Sequence, residues 1–364
     1  MALNYILDDL LKQMPGLGAS DLHIRVGEPP MMRIHGDLER LDYPVFTHED
    51  TIELMHAKMK PFQIERLESF RELDMAYEVE GVARFRVNCF WQQRHLGAVM
   101  RMIPIKIKSI EELGLPQILK EFADLPRGLV LVTGPTGSGK STTLAAMVNY
   151  INDSRKAHII TVEDPIEFVH EDRKCIVEQR EVGQDTHEFS EALKHIMRQT
   201  PDVILVGEMR DLETIGLAVT AAETGHLVFA TLHTTDAMQT VDRMVDVFPP
   251  QQQQQIRMQL AVTLGGVICQ SLLPVKEGHG RIASFEIMKG NPAIRAVIRE
   301  GKTHMIYNLI QSGGEEGMIV LDQYLAGLVK NNSVDYEQAL TKSSYPNEFA
   351  RRCGIAETDL SRDS

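Results

Sequence analysis

The sequence predicts two domains: a small α+β domain, then an α/β domain built on a parallel sheet. Three observations predict this. Before residue 103, stretches of alternating apolar and polar residues follow an amphipathic helical segment. From Leu119 the pattern changes to short, near-continuous apolar runs at 129–132, 158–162, 203–206 and 227–230. Helical segments separate most of these runs, as they do buried parallel strands. Finally, Gly134-Pro-Thr-Gly-Ser-Gly-Lys-Ser141 fits G-x-x-x-x-G-K-[ST] at every fixed position and joins a strand to a helix. The length, 364 residues, also suggests two domains at roughly 150 residues each.

Leu3, Ile6, Leu7, Leu10 and Leu11 recur at i, i+3, i+4, i+7 and i+8, one face of a helix that Pro15, Gly16 and Gly18 end. Residues 20–26 alternate and form a strand; Gly27-Glu28-Pro29-Pro30 turns the chain into a second strand at 32–35. Residues 47–68 are one helical stretch capped by Thr47, with Asp50 three residues on as an acidic capping box. Three alternating strands follow at 73–79, 83–91 and 96–103. These elements define a first domain over 1–103. Residues 104–116 form a linker with Pro at both ends and a basic Lys106-Ile-Lys108 patch. The second domain spans 117–345 and is mostly helical after 250, where Gln251–Gln255 is a solvated helix start. Residues 346–364 are polar and form a frayed, flexible tail.

Composition excludes several classes. Lys and Arg number 38 against 51 Asp and Glu, a net charge of −13, so a nucleic-acid-coating protein is not expected. Hydrophobic residues make up 43 % of the chain, enough to bury real cores, so wholesale disorder is not expected either. Cys89, Cys175, Cys269 and Cys353 form no CxxC pair, which leaves no zinc ribbon or thioredoxin-like site. The best apolar stretch, 261–269, is far short of the roughly 18 residues a spanning helix needs. The N-terminus shows no charged region followed by an apolar run, so a cytoplasmic protein is expected.

The chemistry concentrates in four segments of the second domain. In Gly134, Pro135, Thr136, Gly137, Ser138, Gly139, Lys140, Ser141 and Thr142, glycines let backbone N–H groups turn toward phosphate oxygens, and the helix N-terminus adds partial positive charge. Lys140 is placed to reach β- and γ-phosphates and Ser141 to hold Mg²⁺. Glu163, with Asp164 and Glu167, ends an apolar run; a carboxylate there can polarise an attacking water. Glu208 ends the run 203–206 after Gly207, where an acid organises Mg²⁺ or its water shell. His226 and His233 flank the strand at 227–230; histidine can donate to a phosphate oxygen or relay state. In the first domain, Arg84 and Arg86 share a strand face, and Arg101 follows; arginine suits bidentate phosphate contacts.

Taken together, these segments resemble the secretion-superfamily hexameric ATPases, and most closely the type IV pilus retraction ATPases of PilT type. Gly134–Ser141 is similar to their Walker A, 161–167 to their Asp box, 203–208 to their Walker B, and Gly225-His226 with 231–234 to their His box. Gly18-Ala-Ser-Asp-Leu-His23 and Ala83-Arg-Phe-Arg-Val-Asn88 are similar as well. Ala293-Ile-Arg-Ala-Val-Ile-Arg-Glu300 matches the family's Ala-Ile-Arg-Asn-Leu-Ile-Arg-Glu signature except at Ala296 and Val297. The resemblance implies a PAS-like first domain, a RecA-like second domain, ATP and Mg²⁺ as cofactors, and a homohexamer. It also implies Arg84, Arg86 and Arg101 as phosphate contacts, an inner-membrane platform protein and a retraction paralogue as partners, and membrane association only through partners, at the cytoplasmic face.

The expected function is pilus retraction by pilin depolymerisation, the basis of twitching motility. An accessory paralogue and an assembly or type II secretion ATPase stay open as alternatives on the same engine. A RecA-like nucleic-acid translocase is the alternative from a different class; the acidic charge and the lack of a basic–aromatic run argue against it.

Overall fold

The structure, a computed structural model, describes residues 3–34, 36–103, 107–278 and 280–354, and the side chains from residue 7 onward. Leu3 and Ile6 of the expected helical face, Pro104 and Lys106 of the expected linker, and the tail from 355 lie outside the described side chains or residues. The chain divides into two compact units. One runs to residue 106 and includes Pro165–Val169; the other comprises Ile107–Asp164 and His170 onward.

The first unit begins with α1 (Leu3–Leu17), which continues past Pro15 and buries Leu7, Leu10, Leu11 and Met14. Strands β1 (Ala19–Ile24), β2 (Met31–Ile34) and β3 (Asp37–Arg40) follow. The expected single helix over 47–68 is two: α2 (His48–His56) and α3 (Pro61–Phe70). Pro61 cannot continue a preceding helix but is pre-organised to start one, so the chain breaks before it. The capping box at Thr47 is present: Asp50 N donates to Thr47 Oγ1 at 3.2 Å and Thr47 N to Asp50 Oδ2 at 2.8 Å. Strands β4 (Glu72–Val79), β5 (Ala83–Gln92) and β6 (His95–Ile103) complete an antiparallel sheet of order β3-β2-β1-β6-β5-β4. Phe85, Val87, Cys89, Ala98 and Met100 line its buried face.

In the second unit, α4 (Ile118–Ala123) precedes β7 (Gly128–Thr133), α5 (Lys140–Ser154), β8 (His158–Glu163), β9 (Ile176–Glu181), α6 (Phe189–Ile196), β10 (Val203–Val206), α7 (Leu212–Glu223) and β11 (Leu227–Leu232). Then come α8 (Ala237–Asp246), α9 (Pro250–Thr263), β12 (Leu264–Pro274), β13 (Arg281–Lys289) and α10 (Pro292–Glu300). Helices α11 (Ile306–Ser312), α12 (Leu321–Lys330), α13 (Tyr336–Leu340) and α14 (Pro346–Cys353) close the chain. The seven-stranded sheet has the order β13-β12-β7-β11-β10-β8-β9, parallel except for β13. Each of the four apolar runs in the sequence is a strand at its centre. Residues of β7, β10 and β11 are buried throughout, because helices cover both sheet faces.

The region after 250 is mostly helical, as expected, but it also holds β12 and β13, which form an antiparallel pair along nine residue positions, from Gly266↔Lys289 to Pro274↔Arg281. Two expectations are corrected. The stretch 107–116 is not a free linker, since Ile110 and Leu115 are buried in the second unit's core. Residues 346–353 are not a flexible tail. They form α14, whose Phe349 is fully buried and stacks on Tyr336 at 5.3 Å between ring centroids. The four cysteines are free, and Cys89, Cys175 and Cys269 are buried.

Candidate active site

The strand order brings four chemical segments to one end of the sheet. The loop 134–139 leaves the C-terminal end of β7, His233 that of β11, Glu208 that of β10 and Glu163 that of β8. These are four neighbouring parallel strands, and ligands of open α/β sheets bind beyond such ends.

The loop closes tightly. Gly134 has φ 139° and Gly139 has φ 88°, in the left-handed region that favours glycine. Space is also lacking: a Cβ on Gly134 would lie 2.1 Å from the carbonyl oxygen of Gln270, and one on Gly139 2.8 Å from Gln270 Nε2. Pro135, Thr136 and Gly137 are exposed, whereas Ser138 is buried. Lys140 is the first residue of α5, and its Nζ donates to Gly134 O at 2.7 Å and Pro135 O at 3.1 Å. Ser141 and Thr142 follow in the first turn of α5, where the unpaired N–H groups and positive end of the helix favour an anion.

Glu163 is half-buried at the end of β8. Its Oε1 accepts from Thr161 Oγ1 at 2.7 Å and from Gln179 Nε2 of β9 at 3.2 Å. Glu208 is held from both sides: Arg210 Nη2 donates to Oε2 at 2.7 Å and His233 Nε2 to Oε1 at 2.8 Å. The Arg210 hydrogen bond, opposed by burial and aided by His233, holds the Glu208 carboxyl below its ordinary range. An ionised carboxylate only accepts, so Nε2 of His233 carries the proton in this pair. The backbone around Glu208 is stitched to both neighbours: Gly207 N donates to Val162 O at 2.7 Å and Met209 N to Thr231 O at 3.1 Å.

His226 is not brought here. It precedes β11, whose first residue pairs with Gly128 at the start of β7, whereas the loop follows the end of β7. Six strand residues at about 3.3 Å each put it roughly 20 Å from the His233 end. Its Nδ1 lies 2.9 Å from Ala221 O and 3.3 Å from Thr224 Oγ1, where it secures the turn after α7. His226 therefore stands apart from this site, at the opposite end of β11 from His233.

Arg84, Arg86 and Arg101 belong to the first unit. Arg84 and Arg86 point away from the core residues Phe85 and Val87, and Arg86 pairs with Arg101 across β5 and β6. Arg101 Nε donates to Asp21 Oδ1 at 2.8 Å. Asp21 itself is buried, with Ser20 Oγ donating to its Oδ2 at 2.7 Å.

The hard oxygens of Ser141 and Glu208 suit Mg²⁺, which keeps waters and takes one or two protein ligands beside substrate phosphates. The described residues hold no cluster of three or more His, Cys, Asp or Glu placed to cage a metal. No helix among the described residues is long and apolar enough to cross a membrane.

The profile of the type II/IV secretion system protein family matches residues 3–311. The chain belongs to that family. Over 343 residues it is 54 % identical to the type IV pilus retraction ATPase PilT of Pseudomonas aeruginosa, covering 94 % of this chain and 99 % of that one. The type IV pilus ATPase PilU of the same organism is 41 % identical over 94 % of this chain and 90 % of its own. A crystal structure of the pilus retraction motor PilT with bound ADP superposes with a TM-score of 0.89 at 45 % identity, over 95 % of this chain and 99 % of that one. Within its family the chain is a PilT-type ATPase, with the two-domain architecture that the sequence predicts.

Reasoning from sequence missed three parts of the site: Arg210 as the partner of Glu208, Gln179 as the partner of Glu163, and Gln270 behind the loop. Two of them carried a local signal: Arg210 lies in the charged segment 209–214 directly after Glu208, and Gln270 is an uncharged polar residue inside the apolar run of β12.

Proposed function

We propose that this chain is the ATP-hydrolysing motor that retracts type IV pilus fibres by pilin depolymerisation, and so supports twitching motility. The observation that carries the proposal is the placement of Lys140, Glu208 and Glu163 at one sheet end, in a chain 54 % identical along nearly its full length to a retraction ATPase.

The N–H groups of Gly137–Thr142 and the Lys140 ammonium hold the β- and γ-phosphates of ATP. Glu163 accepts a proton from the water that attacks the γ-phosphorus, as the bond to the ADP oxygen breaks. Ser141 and, through a water shell, Glu208 would hold Mg²⁺, which would supply Lewis-acid polarisation of the phosphate oxygens when bound. The Glu208–His233 pair reports phosphate state to the segment after β11. Arg84, Arg86 and Arg101 add cations for phosphate contact. The motor works as a homohexamer at the cytoplasmic face of the inner membrane, held there by a platform protein that it drives, with a retraction paralogue as a further partner.

Purified chain with Glu163→Gln tests the chemistry. Binding of ATP at parent affinity with turnover reduced by about a hundredfold or more is expected, since a general base contributes 10²–10⁴-fold. Turnover at the parent rate removes Glu163 from the mechanism.

A further inference from the structure

We infer that Gln270 is a positioning residue for nucleotide binding: its side-chain amide fixes the phosphate-binding loop against the first turn of α5 and aims the Gly139 N–H outward. The inference rests on the loop role proposed above.

Gln270 sits on β12, one residue beyond Cys269, which pairs with the last residue of β7, Thr133. Its main chain therefore lies beside the point where the loop begins. Its side chain is 5 % exposed, and both amide ends are used. Nε2 donates to the carbonyl oxygen of Ser138 at 2.7 Å, and Oε1 accepts from Thr143 Oγ1 at 2.7 Å. Thr143 is buried in α5, and its own N–H donates to Gly139 O at 3.0 Å. One planar amide thus ties β12, the end of the loop and the helix into a single unit.

The consequence follows from peptide geometry. A trans peptide is planar, with its C=O and N–H pointing in opposite directions. Holding the Ser138 carbonyl inward on Gln270 turns the Gly139 N–H the other way, toward the open side of the loop. Without that anchor the 138–139 peptide can rotate, and the donor must be re-aimed each time phosphate binds. Gly139 lacks a Cβ that would strike Gln270 Nε2, so the loop sequence and Gln270 fit each other.

The experiment compares ADP affinity, by calorimetry, of full-length parent, Gln270→Glu, Thr143→Val and Lys140→Ala, with melting temperatures alongside. In Gln270→Glu the new carboxylate, when ionised, still accepts from Thr143 but faces the Ser138 carbonyl without a proton. This variant should bind ADP roughly tenfold more weakly at about pH 8. Burial raises a carboxyl's pKa, so lowering the pH protonates the side chain and restores the donor. Affinity should then recover relative to the parent. Thr143→Val, which leaves the Ser138 contact in place, should lose less. Parent-like binding by Gln270→Glu while Lys140→Ala loses binding overturns the inference alone. Parent-like binding by both overturns the loop's role, and the inference with it. A loss in Gln270→Glu that acid does not restore, with a lowered melting temperature, shows a packing role and also overturns it.

Discussion

His233 and Glu208 are joined by a 2.8 Å hydrogen bond between residues that end adjacent strands, so a change at either is felt at the other. Arg210 is the larger influence on the carboxylate and keeps it ionised further into acid. A carboxylate with a depressed native pKa contributes stability above its ordinary value and loses it as the pH falls through the native one. Arg210→Ala should lift the Glu208 pKa toward its ordinary range. The acid limb of kcat/KM against pH should then move to higher pH. An unmoved acid limb would mean that Glu208 need not be ionised for turnover.

Glu286 on β13 carries the opposite sign. Burial pushes its carboxyl up to about 7, against the lowering effect of the hydrogen bond from Ala237 N at 2.8 Å, and Asp236 and Asp322 push it further up. The native state therefore holds a proton that the unfolded chain releases between its ordinary value of 4.5 and about 7. Stability falls as the pH rises through that window, by roughly 3 kcal/mol in all. Glu286→Gln keeps the acceptor for Ala237 and removes the titration. Its melting temperature should exceed the parent's at about pH 8 and match it near pH 5, a window set by these values. Equal pH dependence in both proteins would show that Glu286 is not the titrating group.

Thr200 is a β-branched residue at φ 53°, directly before Pro201. Both its side chain and the following proline disfavour that conformation. Thr200→Asn, which tolerates the left-handed region, should stabilise the protein by roughly 1 kcal/mol and leave ATP turnover unchanged. Differential scanning calorimetry checks it. A lower melting temperature would show that the threonine side chain contributes something worth more than the strain.

The C-terminal helix is part of the core. Phe349 is fully buried with Leu273, Leu325 and Val334. Phe349→Ala should destabilise by about 3–5 kcal/mol, as for other buried aromatics. Denaturant titration reads this directly, and a change below about 0.5 kcal/mol, the range of surface substitutions, would mean that α14 is not docked in solution.

Much of this was legible in the sequence. The loop was, because phosphate binding fixes glycines and a lysine at set spacings within eight residues. The central strands were, because burial on both faces leaves only apolar residues. Strand β9 was not, since it is an edge strand with a polar face and resembles a loop. Strand β12 follows α9 with no loop between Thr263 and Leu264, so its apolar run passed for helix despite Gly265 and Gly266. His226 and His233 invited a shared role because they are seven residues apart, but in a strand that spacing separates opposite ends of the sheet. Gln270 reaches partners 127 and 132 residues away, a distance at which only the folded chain shows the contact.

The central claim is that nucleotide chemistry at Lys140 drives fibre retraction, and the most direct measurement is surface pilus number in cells whose only copy carries Lys140→Ala. The substitution removes the ammonium that holds the phosphates and leaves the two units' cores untouched. Surplus pili that do not retract are the predicted result. Cells without pili would contradict the account, since they would mean a motor that assembles the fibre.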